Sequence, residues 1–492
     1  MTGDPKAGTT PRCGAATRRA LHELTAAEIA PAVADRTLSA IDIFDAIAAR
    51  IARYNAALNA IIDFDPGDGR REAAKADELA LAGVRLPLLG VPFTVKDSFW
   101  VGGKRATQGS KLFADFVAPR DSWCVQRMRE LGAVFVGMTN CPEFACKGIT
   151  DNLLHGKTRS PWRLGYTPGG SSGGAASAVS AGFGPLALAT DAGGSVRRPA
   201  AHCGLVGMKP STGLIPNPWG FDEANFGNSV VAPLARTVED AARLLECLVA
   251  YHPEDPLSVP VAADNKFVEA TRRGAPSGLR IAFSRDLGCG FAVDQDVEKA
   301  ILGAVGRLEA AGYRIKHASP VWPEGTFEYP LLPLQQAGLA AMFGESWGST
   351  SQMIDPDIGA QIELGLQTTG TQIALLLLRR ETIHKCLARF FERHDLLLCP
   401  TAPVTSWPAD EPYPPIIGGH AASPRGHAAF TPLFNYCGVP ACSVPCGLAA
   451  NGLPVGIQVV GPKYRDGWVL GMAASIEREN EIDFSLPRTP EI

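Results

Sequence analysis

The chain carries no long basic run, no unbroken apolar tract of membrane-spanning length, no internal repeat and no low-complexity segment. Each absence removes a class of protein. With 46 basic against 50 acidic side chains and a net charge of −4, nothing offers a nucleic acid or an anionic membrane surface an electrostatic footprint. The longest apolar stretch, Ala175 to Thr190, is interrupted by Gly182, Gly184 and Pro185, which argues against a membrane span. The start, Met1 to Arg19, lacks the charged-then-apolar pattern of a secretion signal and is expected to be a loosely attached tail. The 12 cysteines are scattered, and Cys203, Cys247, Cys399 and Cys437 sit in apolar runs, as reduced core thiols do. A cytoplasmic protein is expected, with no metal or other cofactor.

What is present is a 492-residue chain, 46% apolar and 20% charged, long enough to bury a large core. Thr25-x-x-Glu28 fits a capping box, and Ser39 stands where it would cap a helix carrying Ile41, Phe44, Ile47 and Ile51. Helix Arg70–Ala82 is followed by strand Val91–Val95, and helix Cys124–Leu131 by strand Val134–Met138. Further along come strand Pro185–Thr190, helix Val238–Tyr251, strand Leu279–Ser284, helix Asp296–Ala311 and strand Arg314–His317. Such alternation predicts an α/β fold with a central sheet covered by helices on both faces. A single domain over 20–485 is expected. Within it, 320–429 holds helical patterns at Leu331–Phe343 and Thr371–Phe391, strand Leu396–Cys399 and a Pro- and Gly-rich loop. Segments of that kind form lids and pocket walls, and Leu331, Phe343, Trp347, Leu375, Leu378 and Trp407 are the expected apolar wall. Two strands around the Asn451-Gly452 turn and a closing helix, Trp468–Glu477, complete the pattern.

Chemistry concentrates in Thr167 to Arg197. Two serine-bearing glycine clusters stand there, Gly169-Gly170-Ser171-Ser172-Gly173-Gly174 and Asp191-Ala192-Gly193-Gly194-Ser195, separated by a small-residue helix and a strand. Glycines permit the close backbone approach with which N–H groups converge on a substrate oxygen. A phosphate cradle ending in Gly156-Lys157-Thr158 fails because Asp151 occupies the position of its first glycine. A hydrolase nucleophile elbow is matched in letters around Ser171 and Ser172. It requires a strand running straight into the serine, whereas Arg163 to Pro168 reads as a loop; the late histidines His420 and His427 sit in a Gly/Ala/Pro-rich segment.

Ser195 is placed differently. It follows a strand, at the edge where open α/β sheets bind ligands. The N–H groups of Ala192, Gly193, Gly194 and Ser195 are the candidate oxyanion hole, each donor of this type being worth about 3 kcal/mol or more. A serine needs a base, and no histidine stands at a matching strand end. Lys96 does, directly after Val91–Val95. Burial lowers a lysine pKa, and a neutral amine accepts a proton, as in Ser–Lys variants of the catalytic triad. Alone, a lysine after a strand more often snorkels to the surface, and a lone Gly-Gly-Ser is usually a turn.

At these residues the chain resembles the amidase signature family. Lys96, Gly169 to Gly174 and Thr190 to Arg197 match its strand lysine, GGSSGG run and T-D-x-G-G-S-[IV]-R block. Thr139 to Phe144, Pro199 to Pro210, Ala232 to Asp240, Cys399 to Pro403 and Gly452 to Gln458 extend the likeness over roughly residues 20–480. The resemblance implies Ser195 as nucleophile, Ser171 as a bridging serine after a cis peptide at Gly170, and Lys96 as proton acceptor. It gives Asp191, Arg197 and Ser172 supporting roles. Leu214 stands where the family often has arginine, and Ala232 where it usually has glycine before Pro233. The implied activity is hydrolysis of small amides, aryl or aliphatic and apolar, by a monomer or homodimer with water as acyl acceptor. Carbamate hydrolysis by the same mechanism, the A subunit of a glutamyl-tRNA amidotransferase, and a non-catalytic binding protein on this scaffold are the alternatives.

Overall fold

A computed structural model describes residues 19–260 and 266–492; the tail expected over 1–19 lies outside them but for Arg19. The sequence-encoded caps form. Thr25 accepts from the Glu28 N–H in a full capping box, and Ser39 accepts from Asp42 N–H.

Eleven strands make one sheet: β1 (Ile61–Asp63), β2 (Pro92–Lys96), β3 (Val134–Thr139), β4 (Leu186–Asp191), β5 (Val206–Lys209), β6 (Val230–Ala235), β7 (Ile281–Phe283), β8 (Ile315–His317), β9 (Leu396–Pro400), β10 (Ala441–Leu448) and β11 (Pro454–Val460). Their spatial order is β1-β3-β2-β4-β6-β5-β10-β11-β9-β7-β8. The sheet is mixed: β2 runs parallel to β3 and β4, β4 antiparallel to β6, and β10 antiparallel to β11. Helices flank it, giving the α/β architecture the alternation predicts. Strands β2, β3, β9 and β11 are buried along their whole length, which is why they read as continuous apolar runs rather than alternating ones.

Three strands escape the sequence reading. β1 has only three residues, too few to show a period. β6 holds Pro233, a residue that normally argues against a central strand, and β5 is only four residues long with Gly207 inside it. Helix Pro356–Leu366 is also additional; it packs on helix Leu332–Phe343. The helix expected to reach Tyr251 stops at Leu248.

The parallel pair β2 and β4 positions the site. Phe93 pairs with Leu186 and Val95 with Leu188, so the carboxyl ends of both strands arrive side by side, one ending in Lys96 and the other in Asp191. Between the two glycine clusters, Gly173–Ser180 is a fully buried helix of small side chains packed on β4.

Candidate active site

Lys96 has no exposed surface. Its Nζ lies 2.7 Å from Ser171 Oγ and 3.0 Å from Thr190 Oγ1. The snorkelling alternative fails because β2 is an inner strand with no route to solvent. Burial pushes the amine down to about 8, against a smaller upward pull from nearby groups, Asp191 among them. The flanking thiols supply no counter-charge, since burial raises Cys146 to about 12 and Cys141 further, leaving both neutral.

Ser171 follows a cis peptide at Gly170 and is 1% exposed. No strand leads into it, which disposes of the elbow reading. The first glycine cluster is tied to the second and to β4 at three points. The Ser172 N–H donates to the Ser195 carbonyl at 3.1 Å. Ser172 Oγ donates to the Thr190 carbonyl at 3.3 Å, so this hydroxyl bridges to β4 instead of capping its helix. Arg198 spans both clusters, with Nη2 on the Gly170 carbonyl and Nε on the Gly194 carbonyl.

Asp191 and Arg197 form a forked ion pair, Nε to Oδ2 at 3.0 Å and Nη2 to Oδ1 at 2.9 Å, with both side chains fully buried. Burial alone would raise the Asp191 carboxyl; the Arg197 charge and hydrogen bonds from Arg197 and Asn435 outweigh it and hold it well below the usual carboxylate range. The same carboxylate accepts the N–H groups of Gly194 at 2.7 Å, Val196 at 3.2 Å and Arg197 at 3.3 Å. This corrects the expected oxyanion set. The Gly194 N–H is already committed to Asp191, which leaves Ala192, Gly193 and Ser195 as the donors of this loop not held by that carboxylate.

Around the pair stand residues that carried no role in the sequence-based expectations. Arg197 Nη1 donates to Gln458 Oε1 at 2.6 Å and to the Thr431 carbonyl at 3.1 Å, and Nη2 to Asn435. Asn435 Nδ2 donates to the Asp191 carbonyl at 2.8 Å, and Thr431 Oγ1 to that of Gly193 at 2.8 Å. Gly194, at φ 105°, leaves no room for a Cβ, which would strike the Thr431 hydroxyl. Gln458 lies in a family-like segment, but Thr431 and Asn435 arrive from a loop and short helix that carry no periodic signal.

Ser171, Thr190, Ala192 and Ser195 line one cavity of about 170 Å³, a size comparable to sites that take up a single aromatic ring. Ser195 is 7% exposed. The remaining wall mixes apolar side chains, among them Phe144, Ile215, Phe221, Leu257, Leu339 and Met342, with polar ones such as Gln108, Asn217 and Asn225; among the described residues its charged members are Asp222, Glu223 and Asp255, with no Lys, Arg or His. The six residues expected as the wall do not line it. Leu331, Phe343 and Trp407 are core, Trp347 packs against a satellite cluster, and Leu375 and Leu378 are each 60% exposed on the outer face of helix Gly370–Phe391. From 320–429 the cavity receives Leu339 and Met342; most of the opposite wall comes from 212–231, a stretch with no secondary-structure signal before β6. Among the described residues no group of His, Cys, Asp and Glu is arranged to hold a metal, and no helix is long and apolar enough to cross a membrane.

The family model named Amidase matches residues 42–470. The chain belongs to the amidase signature family. An acylamidase of Rhodococcus erythropolis is 37% identical, over 94% of this chain and 96% of its own. The A subunit of a glutamyl-tRNA(Gln) amidotransferase from Roseiflexus sp. (strain RS-1) is 31% identical, over 96% and 99%. Among solved structures, a bacterial aryl acylamidase of the amidase signature enzymes superposes with a TM-score of 0.88 at 28% identity, over 96% of this chain and all of that one. A 6-aminohexanoate cyclic dimer hydrolase superposes at 0.85 and 28%, with the same coverage. This amidase signature chain is therefore an amide hydrolase. Its two departures from the family pattern are packed without disturbance: Leu214 is 4% exposed beside the cavity loop, and Ala232 fills a small-residue cluster opposite Ala189.

Proposed function

We propose that the protein hydrolyses small, neutral, apolar carboxylic amides through an acyl-enzyme on Ser195. The observation that carries this reading is Lys96: a fully buried amine, pushed down to about 8, 2.7 Å from Ser171 Oγ in the cavity that Ser195 also lines. In the proposed sequence the neutral amine takes a proton from Ser171, Ser171 takes one from Ser195, and Ser195 Oγ attacks the carbonyl carbon. The N–H groups of Ala192, Gly193 and Ser195 receive the developing oxyanion. The relay then returns the proton to the departing amine, and water releases the acid by the same steps. Asp191, anchored by Arg197, Asn435 and three backbone N–H groups, fixes the loop that carries Ser195.

The similarity to acylamidases supports an aryl or aliphatic acylamide as substrate. Carbamates present the same carbonyl and leaving amine and fall within the same mechanism. The similarity to the amidotransferase chains favours glutamine as a second reading. Leu214 in place of arginine and a cavity wall without a cation weigh against it, because an amino acid carboxylate would enter unpaired. The test is a panel of anilide, primary amide, ester, carbamate and glutamine with the purified chain. Anilide turnover without glutaminase activity is expected; glutamine as the preferred substrate would overturn the reading.

A further inference from the structure

Non-glycine residues in left-handed backbone conformations cluster at functional sites because the surrounding structure must hold them there. Three such residues line this cavity: Gln108 (φ 50°), Phe144 (φ 51°) and Ala145 (φ 58°). They are held against one another, since the Phe144 N–H donates to the Gln108 carbonyl at 2.9 Å. Gln108 is also fastened to the residue after Lys96. Its N–H donates to the Asp97 carbonyl at 2.9 Å, and the Asp97 carboxylate accepts the N–H groups of Thr107 at 2.7 Å and Gly109 at 3.0 Å, together with the Thr107 hydroxyl. The backbone is thus pinned on both sides of Gln108.

The side chain it presents is only 6% exposed and lies on the cavity wall. Among the described residues neither Gln108 Oε1 nor Nε2 has a hydrogen-bond partner, and neither is sealed off, so the carboxamide is open to the cavity. Ser98, two residues beyond Lys96, lines the same cavity with other atoms, but its Oγ is sealed from it. Phe144, Ile215, Phe221 and Leu339, on the same cavity wall, have no side-chain polar atom to offer the carboxamide.

We propose that Gln108 is a specificity-determining station that receives a second neutral amide-like group of the substrate, distinct from the amide being cleaved. A carboxamide offers two donors and an acceptor with two lone pairs, and the group that answers both at once is another carboxamide, carbamate or lactam. A carboxylate answers only the donors and enters a wall that already carries Asp222, Glu223 and Asp255. Hydrocarbon in the same place leaves the station unpaired, which a site built for hydrogen bonding disfavours strongly. The inference deepens the small-amide reading and rests on the cavity being the one that serves Ser195.

The test uses two substrate pairs. One pair of anilides carries a carboxamide or a same-shaped isopropyl group on the acyl chain; the other carries the same two groups on the aniline ring. In one pair the unmodified protein prefers the carboxamide member by roughly tenfold or more in kcat/KM. Gln108→Leu lowers kcat/KM for the carboxamide member at least about fivefold more than for the isopropyl member, removing most of that preference. Gln108→Asn, which keeps the amide and suits a left-handed position, retains part of it. No preference in either pair, or an equal loss on both members in Gln108→Leu, overturns the proposal. Dissociation constants of the same compounds, measured calorimetrically on Ser195→Ala and on Ser195→Ala with Gln108→Leu, decide the point without turnover. If the active protein cleaves none of the four compounds, the proposed function falls, while the ratio of those constants still decides Gln108.

Discussion

Lys96 is the residue on which the proposed chemistry turns, and its burial has two consequences. In catalysis the amine must be neutral, so kcat/KM falls about tenfold per pH unit as the pH drops below roughly 8, the value to which burial brings Lys96. A pH–rate profile on a neutral anilide checks this; a flat profile down to about pH 5 with the fold intact removes the lysine base. In stability the same burial is a cost. The folded amine titrates near 8 and the unfolded one near 10.5, so the unfolded chain binds more protons between those values. Stability therefore rises with pH through that window, and the full penalty, on the order of 3 kcal/mol, persists below it. Lys96→Met escapes that penalty but gives up the contacts with Ser171 and Thr190, worth about 1 kcal/mol each. Urea denaturation is expected to find it inactive yet more stable by about 1 kcal/mol at pH 7, the gain vanishing at about pH 9 and turning into a loss above it. A loss of stability at pH 7 contradicts the account of the buried amine.

At the scale of elements, the carboxyl ends of β2 and β4 supply Lys96 and Asp191, and the Asp191–Arg197 fork locks the turn that follows β4. Arg197→Met leaves the Asp191 carboxylate buried without its counter-charge, which costs roughly 3–5 kcal/mol in a fully dry pair. Urea titration is expected to show that loss together with reduced activity; a change below about 1 kcal/mol would mean the pair is dispensable. The strands carrying these residues were legible because a short continuous apolar run that ends in a charged side chain is the mark of an inner strand delivering that residue to the sheet's edge. β6 was hidden by Pro233, which sits within an inner strand. Thr431 and Asn435 were hidden because a loop and a five-residue helix leave no period to read. The commitment of Gly194 to Asp191 could not be read either: a row of backbone N–H groups looks uniform until the acceptor of each is known. The expected apolar wall failed for a related reason. Helical periodicity at Gly370–Phe391 identifies a face but not its partner, and Leu375 and Leu378 face solvent.

For the molecule as a whole, the large mixed sheet buries Lys96, the proposed base, deep in the interior, beside a cavity that among the described residues carries acidic side chains and no cation. Electrostatics then sort substrates before chemistry begins. An anilide with a carboxylate on its ring is expected to show kcat/KM about tenfold below its neutral counterpart at low ionic strength, the gap narrowing as salt screens Asp222, Glu223 and Asp255. Equal rates for the two would show that the wall's charge does not reach the substrate. The central claim is narrower and more direct: of the serines gathered here, Ser195 takes the acyl group. Labelling the active protein with a fluorophosphonate and locating the adduct by peptide mass spectrometry tests it in one step. The adduct is predicted on Ser195 and absent from Ser195→Ala; an adduct on Ser171, or labelling that persists in Ser195→Ala, would contradict the account.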